Sequence, residues 1–466
     1  GTTGTGKGGQ LDVDVNMLAN LSADLSTTDK QAADFSESRQ YRVRTGDVNI
    51  IGTGADALKA RETLVSADLG KITVTGDIIA TAPKNSKIGL YAGNGVTLEG
   101  TANMQANSTR AGEEGGKVEI FTSANQLDLQ AGSSINVAGG TNGKGGDVYF
   151  RAPRTGAGSG NNVAVNNLAT NIVGAKSTVL EAFRVFNNVT SIATGTGTGS
   201  TLGQTTIAND IAAFMANKDT IVAGFGKTDD TSFHLRAGTE VRSNTNLAVT
   251  NDWNLYSTTR AGDEPGILTL RSAGNLTFNG SLSDGFTNAT FAGTTAGTVG
   301  VGESSSYRLV AGADTAAANL LSTNKSANTT TGNVILGVNK GIRTGTGDIE
   351  IAAGGELRMG TGSTIYTAGV AATELIGFDS PPASLRPTYL TQGGDVNINV
   401  QGNIVGNEIN AATKELINQW LFRQAGGSLN RDASWWVRPD LFRQGTATLG
   451  GGDIDISAGG SIANFS

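Results

Sequence analysis

The sequence predicts an all-β chain wound as a right-handed parallel β-helix, one continuous stack over residues 1–466 with two insertions. Three observations predict it. One short phrase keeps returning, as TGDIEIAAGGELRMG (346–360), GGDVNINVQGNIVG (393–406) and GGDIDISAGGSIANFS (451–466). Within each copy aliphatic and polar residues alternate strictly, which puts them on opposite faces of a strand. The strand segments are very short, turns are frequent, and little amphipathic helix lies between them.

Further copies run through the chain: GGQLDVDV (8–15), TGDVNIIG (45–52), GKITVTGDIIA (70–80), SKIGLYAGNGVTLEG (86–100) and GGKVEIFTSANQLDLQAGSSINVAGG (115–140). GGDVYFRA (145–152), PGILTLRSAGNLTFNGSL (265–282), YRLVAGA (307–313) and TGNVILG (331–337) continue the series. In each, a Gly or Gly-Gly turn leads into the alternating strand, and a second turn opens a shorter one. Gly suits such corners because it takes positive φ without steric cost. One coil cannot bury its aliphatic face alone, whereas stacked coils share a continuous narrow core. A coil of this kind is expected to take about 20–25 residues, with coils about 4.8 Å apart. A β-sandwich also needs alternating strands and turns, but it does not repeat one phrase at both ends and in the middle.

Composition agrees. The 67 Gly among 466 residues come with only 7 Pro and no three-residue period, which excludes collagen. The apolar share suffices for a core, which argues against simple disorder. A net charge of -7 without basic runs argues against a nucleic-acid partner. The absence of Cys excludes a disulfide scaffold and a thiolate metal site. No apolar stretch reaches membrane-spanning length.

Two regions depart from the phrase. The first insertion, 175–231, holds a Thr/Gly tract (193–203) and then Ile207, Ile211, Phe214 and Met215 at helical spacing, which predicts a short helix over 206–217. The second insertion, 407–450, carries Ile409, Leu416, Trp420 and Leu421 at spacing that fits a helix over 411–423, then Trp435 and Trp436. Trp420, Trp435 and Trp436 are expected to anchor this insertion on the outside of the coils, since aromatic rings bury large areas. Their other reading is a platform on which sugars stack.

Catalytic groups are sparse, and neither an enzyme activity nor a cofactor is expected. His234 is the sole His, which argues against a His-based metal site or a charge-relay triad. No metal ligand set is assigned. No GxSxG, HExxH, P-loop or dinucleotide fingerprint occurs. A calcium-binding turn repeat needs tandem GGxGxDxUx units; residues 143–151 and 344–352 come near without repeating in tandem. The Asp of each GGD is instead expected at a corner, its carboxylate accepting backbone N–H groups. The paired acids Asp229–Asp230 and Asp263–Glu264 are expected to be solvated loop charges.

The coil phrase resembles the shaft of filamentous haemagglutinin-like exoproteins, which Gram-negative bacteria secrete by the two-partner route. Its most specific stretch is YLTQGGDVNINVQGNI (389–404) followed by WWVRPDLFRQGTATLGGGDIDISAGGSI (435–462). The resemblance implies a long secreted shaft at the cell surface, serving adhesion, biofilm or contact between cells. It also implies an outer-membrane transporter as a partner during secretion. The family's N-terminal secretion domain and any C-terminal tip are missing, so the chain is expected to be a piece of something longer. Its expected neighbours are further coils of the same chain or identical copies in a filament, with glycans or cell-surface receptors as ligands. A glycan-binding module through Trp420, Trp435 and Trp436 is the alternative, and a polysaccharide-degrading enzyme comes after it.

Overall fold

The computed structural model describes residues 8–18, 35–256, 264–291, 297–371, 390–408, 421–424, 434–437 and 439–465. The chain divides into two compact units. The first comprises Gly1–Arg184, Phe214–Ala237 and Ala316–Asn319; the second comprises Val185–Ala213, Gly238–Thr315 and Leu320–Ser466. Each is a stack of three-sided coils whose successive strands pair in parallel, so the predicted all-β parallel β-helix is the observed fold.

In the first unit the first side of each coil is a strand of about six residues. Ser38–Val43, Glu62–Ala67, Lys87–Ala92 and Lys117–Thr122 are four in succession. Their register places Tyr41, Val65, Leu90, Ile120, Phe150 and Leu180 in one file. All six are buried. The second side stacks Val48, Ile72, Val96, Leu127 and Val165. The third stacks Leu58, Ile78, Met104, Ile135 and Ile172. Each fully buried aliphatic contributes about 1.5–3 kcal/mol from removal of its surface from water.

The second unit repeats the arrangement. Val241, Leu270, Leu309, Ile351, Ile398 and Ile456 form the first file. Leu247, Leu276, Val334, Leu357, Ile404 and Ile462 form the second. Trp253, Leu282, Ile342 and Ile365 form the third.

Side-chain oxygens staple one coil to the next. Asp47 Oδ1 accepts the amide of Lys71, 24 residues on, at 2.8 Å. Asp348 Oδ1 accepts that of Asp395, 47 residues on, at 2.9 Å. Asp395 Oδ1 accepts that of Asp453, 58 residues on, at 2.8 Å. The first separation matches the 20–25 residues expected of a coil, whereas the other two exceed it, and the paired strands keep their register across the longer spans. A parallel series in the second unit uses Asn. Asn246 Oδ1 accepts the amide of Asn275 (2.8 Å), Asn275 Oδ1 that of Asn333 (2.9 Å), and Asn403 Oδ1 that of Ser461 (2.9 Å). Asp147 differs: it meets the Lys176 ammonium at 3.3 Å.

The corner glycines serve close approach as well as positive φ. Gly146 and Gly394 do not have positive φ. A Cβ on Gly394 would collide with the carbonyl oxygen of Gly347 in the adjacent coil, and one on Gly146 with that of Gly116. Stacked backbones leave no room for a side chain there.

The insertions differ from expectation at their edges. Residues 175–186, placed at the start of the first insertion, form the strand Ala175–Phe186, paired in parallel with Gly146–Thr155. Main-chain pairing outweighs the loss of the phrase. The helix expected over 206–217 is Gln204–Met215, which buries Ile207, Ile211, Phe214 and Met215. A second helix, Lys218–Gly224, follows without having been foreseen. In the second insertion residues 411–420 lie outside the described residues. The end of the helix expected over 411–423 is instead a strand, Leu421–Gln424. Coil pairing resumes at Gly445–Thr448, ahead of the boundary expected at 450.

Candidate functional site: a polar groove on the first unit

A groove of about 840 Å³ runs along one corner of the first unit. Equivalent positions of successive coils line it: Lys71 just before the strand Ile72–Val74, Asn94 and Gly95 before Val96–Leu98, Asn125 and Gln126 before Leu127–Leu129, and Asn166 within Val165–Leu168. Its floor includes the outward side chains of Thr97 and Asp128. The wall is built by overextension. Gly146–Thr155 is ten residues long where the preceding strand Lys117–Thr122 has six. Its end pairs antiparallel with Asn162–Val163, matching Arg154 to Val163 and Thr155 to Asn162. That hairpin brings Pro153, Thr155 and Val163 to the groove.

Asp128 is held by a β-bulge. Leu127 pairs with Val165 but Asp128 pairs with Asn167, so Asn166 is the extra residue. An extra residue re-aims its neighbours' side chains. Here both Asn166 and Asn167 direct their amide nitrogens to Asp128 Oδ1, and Gln130 Nε2 donates to Oδ2 at 2.9 Å. Partial burial alone would raise the carboxyl's pKa. The three amide donors and the nearby Lys71 charge outweigh it and hold the group below its ordinary value. Asp128 is therefore a fixed anion with both oxygens engaged.

Among the lining residues there is one carboxylate, Asp128, and one ammonium, Lys71. Glycoside hydrolysis by paired acids needs two carboxyl groups about 5–9.5 Å apart, and the lining supplies one. Exposed side-chain amides, with the Thr155 hydroxyl, dominate instead, a composition suited to recognition through hydrogen bonds.

The described residues among those singled out from sequence lie elsewhere. Trp435 and Trp436 sit in the strand Ser434–Val437, paired antiparallel with Leu421–Gln424 so that Phe422 faces Trp436 and Arg423 faces Trp435. Trp420 and the side chains of Trp435 and Trp436 lie outside the described residues. Phe442, from the same insertion, packs edge-on against Tyr366 with ring centroids 5.3 Å apart. His234 is the second residue of the strand Phe233–Ser243 and is half-buried. Asp229 is exposed, and Asp230 caps a local turn. The Ser232 hydroxyl donates to Asp230 at 2.7 Å, and its amide and Lys227 add to this, lowering the carboxyl's pKa. Asp263 is outside the described residues, and Glu264 is half-buried.

In sequence the groove residues read as ordinary corners of the phrase. One local signal was present: the doublet Asn166–Asn167 in VNNL (165–168) breaks strict alternation where a strand is due. No protein-family model matches the chain, and no curated protein or solved structure matches it significantly.

Proposed function

We propose that the chain is a section of an extracellular β-helical shaft, part of a secreted filamentous haemagglutinin-like adhesin of a Gram-negative bacterium. In this reading it is a scaffold without chemistry of its own that holds adhesive or receptor-binding parts away from the cell. It takes part in adhesion, biofilm or contact between cells. An outer-membrane transporter passes it out, and further coils of the same chain or identical copies lie beside it.

The observation that carries the reading is the series of side-chain staples Asp348–Asp395–Asp453. Asp348 and Asp395 each offer an acceptor to the next coil at the same corner, so spans of 47 and 58 residues keep one register. This is the property a long shaft needs. The repeating GGD phrase and its resemblance to the exoprotein shaft support the same conclusion.

The test uses an antibody raised against the chain and applied to intact cells of the source bacterium. Labelling of surface filaments, lost when the gene is deleted together with adhesion to surfaces, is the expected result. Labelling that requires permeabilised cells would overturn the proposal.

A further inference from the structure

We infer that the groove between Lys71 and Asn166 binds an extended, uncharged polysaccharide chain lying along the direction in which the coils stack. This is independent of the shaft reading, since the groove would take its ligand whether or not the chain reaches the cell surface.

The groove's direction follows from its construction. Lys71, Asn94, Asn125 and Asn166 come from four successive coils of one corner. With neighbouring strands about 4.8 Å apart, they span about 14 Å. The groove is open along this line and closed on one side by the Thr155–Asn162 hairpin. Such a shape admits a linear chain rather than a compact small molecule.

Its chemistry selects the class of chain. Asn94, Asn125, Gln126 and Asn166 are exposed, and each carboxamide both donates and accepts hydrogen bonds. Thr155 adds an exposed hydroxyl, while the half-buried Pro153 and Val165 supply apolar surface for the carbon faces of sugar rings. The lining holds one positive and one negative side chain, which makes it electrically balanced. A nucleic acid or a sulfated or uronate polymer would require several cations along the track. Two polar groups are fixed in advance. The Asn125 and Asn94 side chains are hydrogen-bonded to each other across two coils, and Asp128 is locked by Asn166, Asn167 and Gln130. Lys71 has no ion pair among the described residues, so its ammonium is a spare donor for ring or hydroxyl oxygens. Fixing polar groups before binding reduces the entropy lost on association.

The experiment titrates the whole chain, isotopically labelled for NMR, with neutral gluco-, manno-, galacto- and xylo-oligosaccharides. Heparin and polygalacturonate are the charged comparisons. The expected result is saturable binding of at least one neutral series, with shifts concentrated on residues 94–97, 125–128 and 164–167. Asn94→Ala and Gln126→Ala, both at exposed positions, should each weaken binding by about fivefold, the loss of one or two hydrogen bonds. Gln126→Trp should block the groove and abolish binding, with the rest of the spectrum preserved as the control for folding. Three outcomes overturn the inference: no neutral series binds, only the charged polymers bind, or the shifts map elsewhere and ignore these substitutions. None of them bears on surface labelling, so failure here is separable from failure of the shaft proposal.

Discussion

Asp395 is a link in a chain of identical contacts: its amide donates to Asp348 Oδ1 at 2.9 Å, and its own Oδ1 accepts the amide of Asp453 at 2.8 Å. The two contacts cross 47 and 58 residues of sequence. A half-exposed hydrogen bond of this type contributes about 0.5–1.5 kcal/mol. Its larger effect is on register, because it fixes which residue of one coil faces which residue of the next.

Replacing that acceptor should therefore loosen one corner without unfolding the stack. Asp395→Ala is expected to speed hydrogen exchange at the Asp453 amide by about three- to tenfold, consistent with loss of about one kcal/mol. Asp395→Asn, which keeps a carbonyl oxygen, should restore most of the protection. Unchanged exchange in the alanine variant would show that the contact carries no stability.

A second prediction concerns charges that alternation alone would send to solvent. Arg151 and Glu181 point away from the coil core, yet both are almost wholly buried and meet at 3.0 Å. The Arg151 guanidinium also lies 3.5 Å from the centroid of the Phe183 ring. Removing the charge of one partner weakens the compensation of the other, so Glu181→Gln should destabilise the first unit. Replacing both with Met and Leu should cost much less. Chemical denaturation followed by signals within residues 40–180 distinguishes the two variants.

Much of the fold was legible in the sequence because one physical rule sets it: an aliphatic every second residue, interrupted by Gly. The files through Ile120 and Ile351 follow from that rule directly. What it hides is the outer side of the first strand in each coil. Glu119 and Arg151 look solvated in sequence but are buried, paired with side chains of the same or neighbouring strands: Glu119 with Tyr91, Lys87 and Lys117, and Arg151 with Glu181. The groove was hidden for a related reason. A bulge is a single added residue, and Asn166 looks like any polar corner until its neighbours are in place.

Arg343 shows how a covering loop is fastened. Its guanidinium sits 3.8 Å from the Phe286 ring and 4.1 Å from the Phe291 ring. It donates to the carbonyls of Asn288 (2.7 Å) and Thr290 (3.2 Å) and to the hydroxyl of Tyr366 (3.1 Å). Only a planar group with donors on several sides can do this. Arg343→Lys should keep the charge yet cost about 2–3 kcal/mol and release the loop to proteolysis. Equal rates of cleavage between residues 286 and 300 in the two proteins would contradict the assignment.

The pH dependence has two arms of opposite sign. The folded pKa of Asp128 lies below its ordinary value, so its stabilising contribution is present above the unfolded value and disappears as pH falls through the folded one. Asn167→Ala should move the Asp128 carboxyl resonance to titrate at higher pH. For Lys176, desolvation opposes charge, but Asp147 and Glu114 prevail and raise its pKa. Its contribution is complete below the unfolded value and is lost as pH rises through the folded one. Glu114→Gln should lower the pH at which Lys176 titrates.

The central claim is that coils of very unequal length stack in one register. Electron cryomicroscopy of the native material at near-atomic resolution tests it most directly. The expected density has Ile398 beneath Ile456 and Asp395 beneath Asp453, with strands about 4.8 Å apart. Density in which those strands pair antiparallel, or in which the register slips by one residue and turns Ile456 outward, would contradict it.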